Sequence, residues 1–251
     1  LQLRKSLSVF LMVASCSYSM NSHKLFQEAN DLFINKKYKK SIELYEKIVF
    51  NEQENSTAYY NLGNAYYRLG DIGHAIWAYK HANKFSPRDK DIIHNLKIAE
   101  AKKIDRIKSP PLFILHDFYR KIKSSMTMFE LILVGGILFF IFSLLWIKQI
   151  FSGKRNVLSK SIFQILLTVI ITVHAVILDK AFERERISKE AIIVRKSDAQ
   201  SGPILGDNKV LFQINEGSVV EVLEEKNNWS EIILIDGKKG WVSSNTLRKM
   251  K

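Results

Sequence analysis

Six histidines and a single cysteine are the groups in this chain with the widest reach in metal and nucleophilic chemistry, and their spacing supports neither. His23, His74, His81, His94, His116 and His174 form no HExxH pair, and Cys16 is not placed to help them as a ligand. Gly70 and Gly73 do not form a phosphate-cradling loop, and no serine is framed as a nucleophile elbow. A lone cysteine excludes an internal disulfide. His174 falls inside a long apolar stretch, where an ionisable group is a functional candidate by default, yet the sequence offers its imidazole no partner. The chain is therefore expected to have no enzymatic activity, no metal and no cofactor. What it does offer is the chemistry of holding: amides, aromatic rings and an arginine able to pair a carboxylate.

Those groups sit on elements that repeat. Residues 56–89 carry a large–small pattern: Leu62, Gly63 and Tyr66 on one helix, then Ala75, Tyr79 and Ala82 on the next. Gly70-Asp71 turns the chain between them and Pro87 ends the second helix. A frame shifted back by 34 positions places Ala29, Leu32, Ser41, Tyr45 and Ile48 on Gly63, Tyr66, Ala75, Tyr79 and Ala82. Shifted forward, Ile93, Leu96 and Ala99 fall on Tyr59, Leu62 and Ala65, and the copy stops after one helix at Ser109-Pro110-Pro111. The length and the pattern resemble the tetratricopeptide repeat. The resemblance implies two repeats, 22–55 and 56–89, and a capping helix, together covering 22–108. It also implies a groove lined by Phe26, Asn30, Phe33, Tyr60, Asn64, Tyr67, Arg68 and His94. Some such repeats clamp a chaperone's terminal carboxylate with five polar residues. Here only Asn30 and Asn61 match, while Phe26, Asp91 and Asn95 stand at the basic positions, so that ligand is not expected.

The chain has 251 residues, 25% of them charged, and a mean hydropathy of −0.06. The average hides a concentration of apolar residues. Met126–Ile147 contains one charge, Glu130, and Ser161–Leu178 contains none. A membrane-crossing helix needs roughly 20 mostly apolar residues. The two stretches, 126–147 and 161–178, are therefore expected to span a bilayer. At the N-terminus, Arg4 and Lys5 followed by Leu7 to Ala14 read as an export signal over residues 1–19. Val13-Ala14-Ser15-Cys16 resembles a bacterial lipobox, in which Cys16 would be lipidated. Ordinary cleavage after Ser17 or Ser19 is the rival reading, and both stand. The connector 148–160 holds Lys148, Lys154, Arg155 and Lys160 without an acidic residue, which predicts a cytoplasmic loop and both flanking parts outside. Arg120, Lys121 and Lys123 argue the other way unless residues 109–125, a linker, lie on the outer surface as an interfacial helix. The net charge of +13 is spread over every segment, with no recognition helix or aromatic-basic strand, so nucleic acid is not an expected partner.

After residue 186 the texture changes to short β-branched runs separated by Asn, Asp and Gly clusters, the spacing of a small all-β barrel. Gly217, Trp229, Asp236-Gly237 and Gly240-Trp241-Val242 together resemble a bacterial SH3 domain over 187–251. That implies a cell-wall peptide or protein ligand, with Trp229, Gly240 and Trp241 serving either the core or the ligand. Lys196–Pro203 reads as an exposed loop. The fold class is thus a multi-domain membrane protein: an all-α repeat solenoid, two transmembrane helices and an SH3-like barrel.

The order of parts, with Tyr59-Tyr60-Asn61-Leu62-Gly63-Asn64-Ala65-Tyr66-Tyr67-Arg68-Leu69-Gly70 and Pro87-Arg88-Asp89-Lys90-Asp91-Ile92, resembles the BatE family of the Bacteroides aerotolerance (Bat) operon. The resemblance implies an envelope scaffold complexed with von Willebrand A-type membrane proteins and linked to oxidative-stress tolerance. An alternative reading is a peptidoglycan-binding anchor that recruits an envelope enzyme through its repeats.

Overall fold

Helix starts in the N-terminal part are set by side chains that accept orphaned backbone N–H groups. The structure, a computed structural model, describes residues 22–105, 114–152, 157–187, 189–203 and 209–250. Residues 22–34 form α1. It is followed by α2 (Tyr38–Asn51), α3 (Ser56–Leu69), α4 (Ile72–Phe85) and α5 (Lys90–Ala101). Asn55, Asp71 and Asp89 accept from Ala58, His74 and Ile92 respectively, capping α3, α4 and α5. Gly70 ends α3 with φ of 88°, a conformation that costs a glycine little. Pro87 follows the end of α4. The export signal, Cys16 and the Pro110-Pro111 break lie outside the described residues.

The helices pair at small residues. A Cβ on Gly63 would lie 2.6 Å from the Tyr79 ring, so α3 and α4 approach only because that position is bare. Tyr79 is 1% exposed, and Leu62, Ala75 and Ala82 are fully buried around it. One repeat earlier, Ala29, Ser41, Tyr45 and Ile48 occupy the same places and are equally enclosed. The buried Ser41 hydroxyl is satisfied by the Ala29 carbonyl at 2.9 Å. The period is visible in the backbone too: α4 starts 34 positions after α2, and α5 starts 34 after α3.

Two compact units divide the chain: residues up to 109 together with 191–250, and residues 110–190. The second unit holds α6 (Ile114–Ser125), α7 (Met128–Ser152) and α8 (Val157–Ile187). Met128–Phe151 and Ser161–Phe182 are long and apolar enough to cross a membrane. Both helices outrun the apolar stretches read from sequence. Lys148 and Gln149 are good helix formers and extend α7 to Ser152, so the connector shrinks from 148–160 to 153–156, which lies outside the described residues. The helices meet at Phe163, whose ring lies 4.4 Å from that of Phe142 and 4.7 Å from that of Trp146. Gly135 faces Val173, Ile177 and His174. Phe163, Leu166, Ile170, Val173 and Ile177 form the more buried face of α8, at coiled-coil spacing. Gln164, Thr168 and Thr172 face away, and Gly136 is open, so neither face packs the pair together. His174 bonds the Ile170 carbonyl of its own helix at 2.8 Å. At one end, Asp179 takes the Lys123 ammonium at 2.6 Å and the Tyr119 hydroxyl at 2.7 Å, tying α6 to α8. The Lys123 side chain is only 8% exposed there.

The C-terminal part is all-β: β1 (Glu190–Ile193), β2 (Ser197–Gln200), β3 (Val210–Ile214), β4 (Val219–Lys226), β5 (Trp229–Ile233), β6 (Lys239–Ser243) and β7 (Leu247–Lys249). They form one sheet in the order β3-β2-β6-β5-β4-β1-β7. Ala191, Ile193, Ala199, Ile214, Val220, Val222, Ile232, Leu234, Val242 and Leu247 share a single core cluster. A sheet that closes over one cluster in this way is a small barrel. Ser197 to Gln200 form β2 and do not belong to a loop, contrary to the sequence reading. Gly240 lets β6 come so near that a Cβ there would lie 3.0 Å from that of Ala199, which makes Ala199 a core residue despite its polar neighbours.

Candidate functional site

The face of the repeats made by α1, α3 and α5 carries a hydrogen-bond network that recurs with the repeat. Asn30 Oδ1 accepts from the Tyr45 hydroxyl at 2.5 Å and from Asn61 Nδ2 at 3.1 Å. Thirty-four positions on, Asn64 Oδ1 accepts from Tyr79 at 2.8 Å and from Asn95 Nδ2 at 2.9 Å. Asn95 also donates to the Tyr60 hydroxyl at 3.1 Å. Burial pushes the Tyr45 phenol up to about 12 and raises that of Tyr79 as well, so both stay protonated donors at neutral pH. With each oxygen doubly occupied, the amide N–H groups of Asn30 and Asn64 and the carbonyl oxygens of Asn61 and Asn95 have no partner among the described residues. Each junction, α1 with α3 and α3 with α5, thus offers one donor group and one acceptor on the same face.

Aromatic rings frame this network. Phe26 meets the Tyr45 ring edge-on at 6.0 Å, and Phe33 meets Tyr38 at 5.4 Å. Tyr60 lies 6.1 Å from Tyr79. The Lys102 ammonium stands over the Tyr67 ring at 4.3 Å. Phe26, Phe33, Tyr60 and Tyr67 are half-buried, while Arg68 and His94 are exposed. No hydrogen bond, ion pair or ring contact among the described residues joins any of these groove residues to the barrel.

The opposite face, made by α2 and α4, is sealed by the barrel. Arg248 of β7 forms a two-pronged bond to Glu46, at 2.6 and 2.5 Å, with its guanidinium 3.5 Å from the Trp77 ring centre. Trp77 Nε1 donates to the Lys249 carbonyl at 2.9 Å. The Tyr66 hydroxyl donates to Glu46 at 2.7 Å. Burial alone would raise the Glu46 carboxyl; the Arg248 guanidinium overcomes this and holds it below the usual range. At the end of the repeats, Asp105 accepts from the Asn215 backbone at 2.7 Å, from its amide at 2.8 Å and from Ser218 at 3.0 Å. Its carboxyl also falls, because those bonds outweigh its desolvation. Gly73 is bare where the backbone at the end of β1 arrives: a Cβ there would lie 2.9 Å from the Ile193 carbonyl oxygen and 2.7 Å from Cα of Val194, the next residue.

His81 completes this face. It stacks on Tyr59 at 4.7 Å, abuts Trp77 at 4.6 Å, and is 2% exposed. Neither of its ring nitrogens has a well-formed hydrogen bond. Burial, with the nearby positive charges of Lys84 and Arg248, pushes its pKa down to about 4. Glu46, Trp77, His81, Asp105 and Arg248 were not candidates in the sequence. The one available signal was Trp77, a large side chain outside the repeat's packing positions.

On the barrel, alternation decides between the two roles for the tryptophans. Ser230, Ile232 and Val242 point inward; Trp229, Glu231 and Trp241 therefore point outward. Trp241 lies opposite Glu231, and Trp229 opposite Ser243. Both rings are half-buried on the outer face of β5 and β6, and neither belongs to the core. Gly240 faces inward.

The fold and this site define a class: a repeat solenoid docked to an SH3-like barrel, in a chain that also carries two long apolar helices. The sequence pattern of the bacterial SH3 domain matches residues 191–248. Among solved structures, the solution NMR structure of a tetratricopeptide repeat domain protein from Salinibacter ruber is similar, with 20% identity and a TM-score of 0.28. That similarity covers 32% of this chain and 84% of the other. No curated protein matches the chain in sequence.

Proposed function

We propose that the protein is a non-enzymatic scaffold of the bacterial envelope that holds an extended segment of a partner protein against α1, α3 and α5. The observation that carries this is the recurring pair of open groups, an amide donor and an amide acceptor at each of two successive helix junctions. An extended main chain offers the complementary groups. Packed helices lie about 8–10 Å apart, and three residues of polyproline II conformation advance about 9 Å. Such a segment would present the same face to successive repeats.

In this reading α7 and α8 anchor the chain in the cytoplasmic membrane, with repeats and barrel on the exported side. The basic connector supports that orientation, and the pairing of Lys123 with Asp179 removes one of the charges that opposed it. The resemblance to the Bat family suggests von Willebrand A-type membrane proteins as the partners and oxidative-stress tolerance as the setting. The test is co-purification from membranes of cells expressing the full chain or its Tyr60→Ala, Tyr67→Ala variant. Loss of the same partner proteins from the variant supports the groove; an unchanged set of partners refutes it.

A second reading rests on Trp229 and Trp241, which share the barrel's outer face and are free to meet a ligand. There the barrel would grip peptidoglycan peptide and the repeats would recruit an enzyme. Co-sedimentation of the full chain with purified cell wall, lost on Trp229→Ala and Trp241→Ala but kept on Tyr67→Ala, would favour it.

A further inference from the structure

We infer that the groove selects a partner segment with an acidic residue, seated between Arg68 and Lys102, followed or preceded by an apolar residue over Ile34. This rests on the groove reading and names the chemistry of its ligand. Positions 34, 68 and 102 are equivalents in successive repeats, at the C-terminal ends of α1, α3 and α5. They hold isoleucine, arginine and lysine. Ile34 is 74% exposed, and Arg68 and Lys102 are exposed too.

The two cations are unneutralised. No carboxylate among the described residues bonds either one. The acids that follow each of them three positions on are already committed. Asp71 pairs with His74 at 2.8 Å, and Asp105 is taken by Asn215 and Ser218. Lys102 is held in place over the Tyr67 ring, so its ammonium is positioned beside the residue next to Arg68. The half-buried Tyr67 ring thus carries an ammonium over its face, and the exposed Arg68 follows it in α3. A carboxylate accepting from both would make charge-assisted bonds without displacing an internal partner. This seat lies one helical turn beyond Asn64, so main-chain and side-chain recognition sit side by side in the groove. The same cations also suit the carbonyl ends of their helices, which is why stability and ligand choice must be read separately.

The experiment selects random short peptides displayed on phage against the full chain in phosphatidylcholine nanodiscs. The expected result is enrichment of Asp or Glu at a fixed distance from an apolar residue. Enriched peptides should lose about tenfold in affinity on Arg68→Ala, Lys102→Ala, the scale of two exposed ion pairs. A Glu→Gln change in the peptide should then cost nothing further. The charge-reversed variant, Arg68→Glu with Lys102→Glu, should select basic peptides instead, a gain that misfolding cannot produce. Peptides that depend on Tyr60 and Asn64 but show no acidic preference would overturn the acidic seat and leave the groove standing. Peptides indifferent to Tyr60→Ala and Asn64→Ala would overturn the groove and the seat together. Unchanged peptide binding, with reduced adhesion of the double variant to phosphatidylglycerol vesicles, would assign the cations to lipid head groups and overturn the inference.

Discussion

The two faces of the repeat module are built from the same helices but are finished differently. On the face of α2 and α4 Glu46 is matched by Arg248 and Tyr66 and Trp77 by Lys249, and Asp105 at the end of the repeats is matched by Asn215 and Ser218, while His81 is enclosed by rings without a well-formed hydrogen bond. On the face of α1, α3 and α5 half of each asparagine is matched and half is left to solvent. The charged groups of the first face are spent within the molecule, whereas the second keeps directed amide groups without a partner among the described residues. The barrel thus backs the repeats through Arg248, the Lys249 carbonyl and Asn215. Repeats this few in number gain most from such a cover, because each end repeat has only one neighbour.

The sharpest way to break the contrast is Trp77→Ala. Truncating a tryptophan that is 5% exposed removes its packing, its bond to Lys249 and the platform for Arg248. The expected cost is about 3–5 kcal/mol. It should appear in urea unfolding of the detergent-solubilised chain, with faster hydrogen exchange at residues 191–194 and 246–249. Unaltered exchange there would mean that the barrel does not depend on this face.

Acid should weaken the same face. The unfolded chain takes up a proton on His81 near 6.5, whereas the folded chain resists it down to about 4. Between those values the unfolded state binds more protons, so stability falls as pH drops through the window and is flat above it. The full difference is about 3 kcal/mol. Glu46 acts lower, because its carboxyl sits below its ordinary range, and its contribution is lost only as pH falls through that depressed value. Urea midpoints at pH 7 and pH 5 should therefore differ, and His81→Phe, which keeps the stacking on Tyr59, should abolish most of the difference. A slope that survives His81→Phe would place the titrating group elsewhere. Somewhat smaller is Glu46→Gln, which leaves a half-buried guanidinium with one weakened partner, about 1–3 kcal/mol in the same assay.

This contrast also separates what the sequence could disclose from what it could not. Periodic features were legible. Gly63 and Ala75 recur against Ala29 and Ser41 because helix packing demands small residues at fixed spacing, and the buried Ile48 stands where the next repeat has Ala82. The apolar runs behind α7 and α8 and the hairpin signal at Asp236-Gly237 are likewise local. Two strands were not: Ser197-Asp-Ala-Gln lacks β-branched residues, and Leu247-Arg-Lys is too short to stand out. Their place is set by neighbours, Gly240 for β2 and β1 for β7. The docking of barrel on repeats was invisible because Glu46 and Arg248 are 202 positions apart and nothing periodic links them. The groove was half legible. Asn30 and Asn64 stood out by position, but the Tyr45 and Tyr79 hydroxyls that orient them require the fold.

The least destabilising change is the one that bears most on the open face. Asn95 donates to Asn64 and Tyr60 and exposes its carbonyl oxygen. In Asn95→Ala water can replace both donated bonds, because the residue is only half-buried. The stability loss should therefore be small, about 0.5–1.5 kcal/mol. Its effect on ligand binding should be disproportionate. The open acceptor disappears, and Asn64, no longer held by its neighbour, is free to turn its amide away from the groove. Affinity for a groove-bound peptide should fall by about tenfold or more, the equivalent of one lost directed bond plus the ordering of another. Asn61→Ala should reproduce this one repeat earlier through Asn30. If both variants weaken folding as much as Trp77→Ala, the asparagines are core groups and the two faces differ only in degree. If they weaken neither folding nor binding, the amide pairs are idle and the aromatic rings alone define the groove.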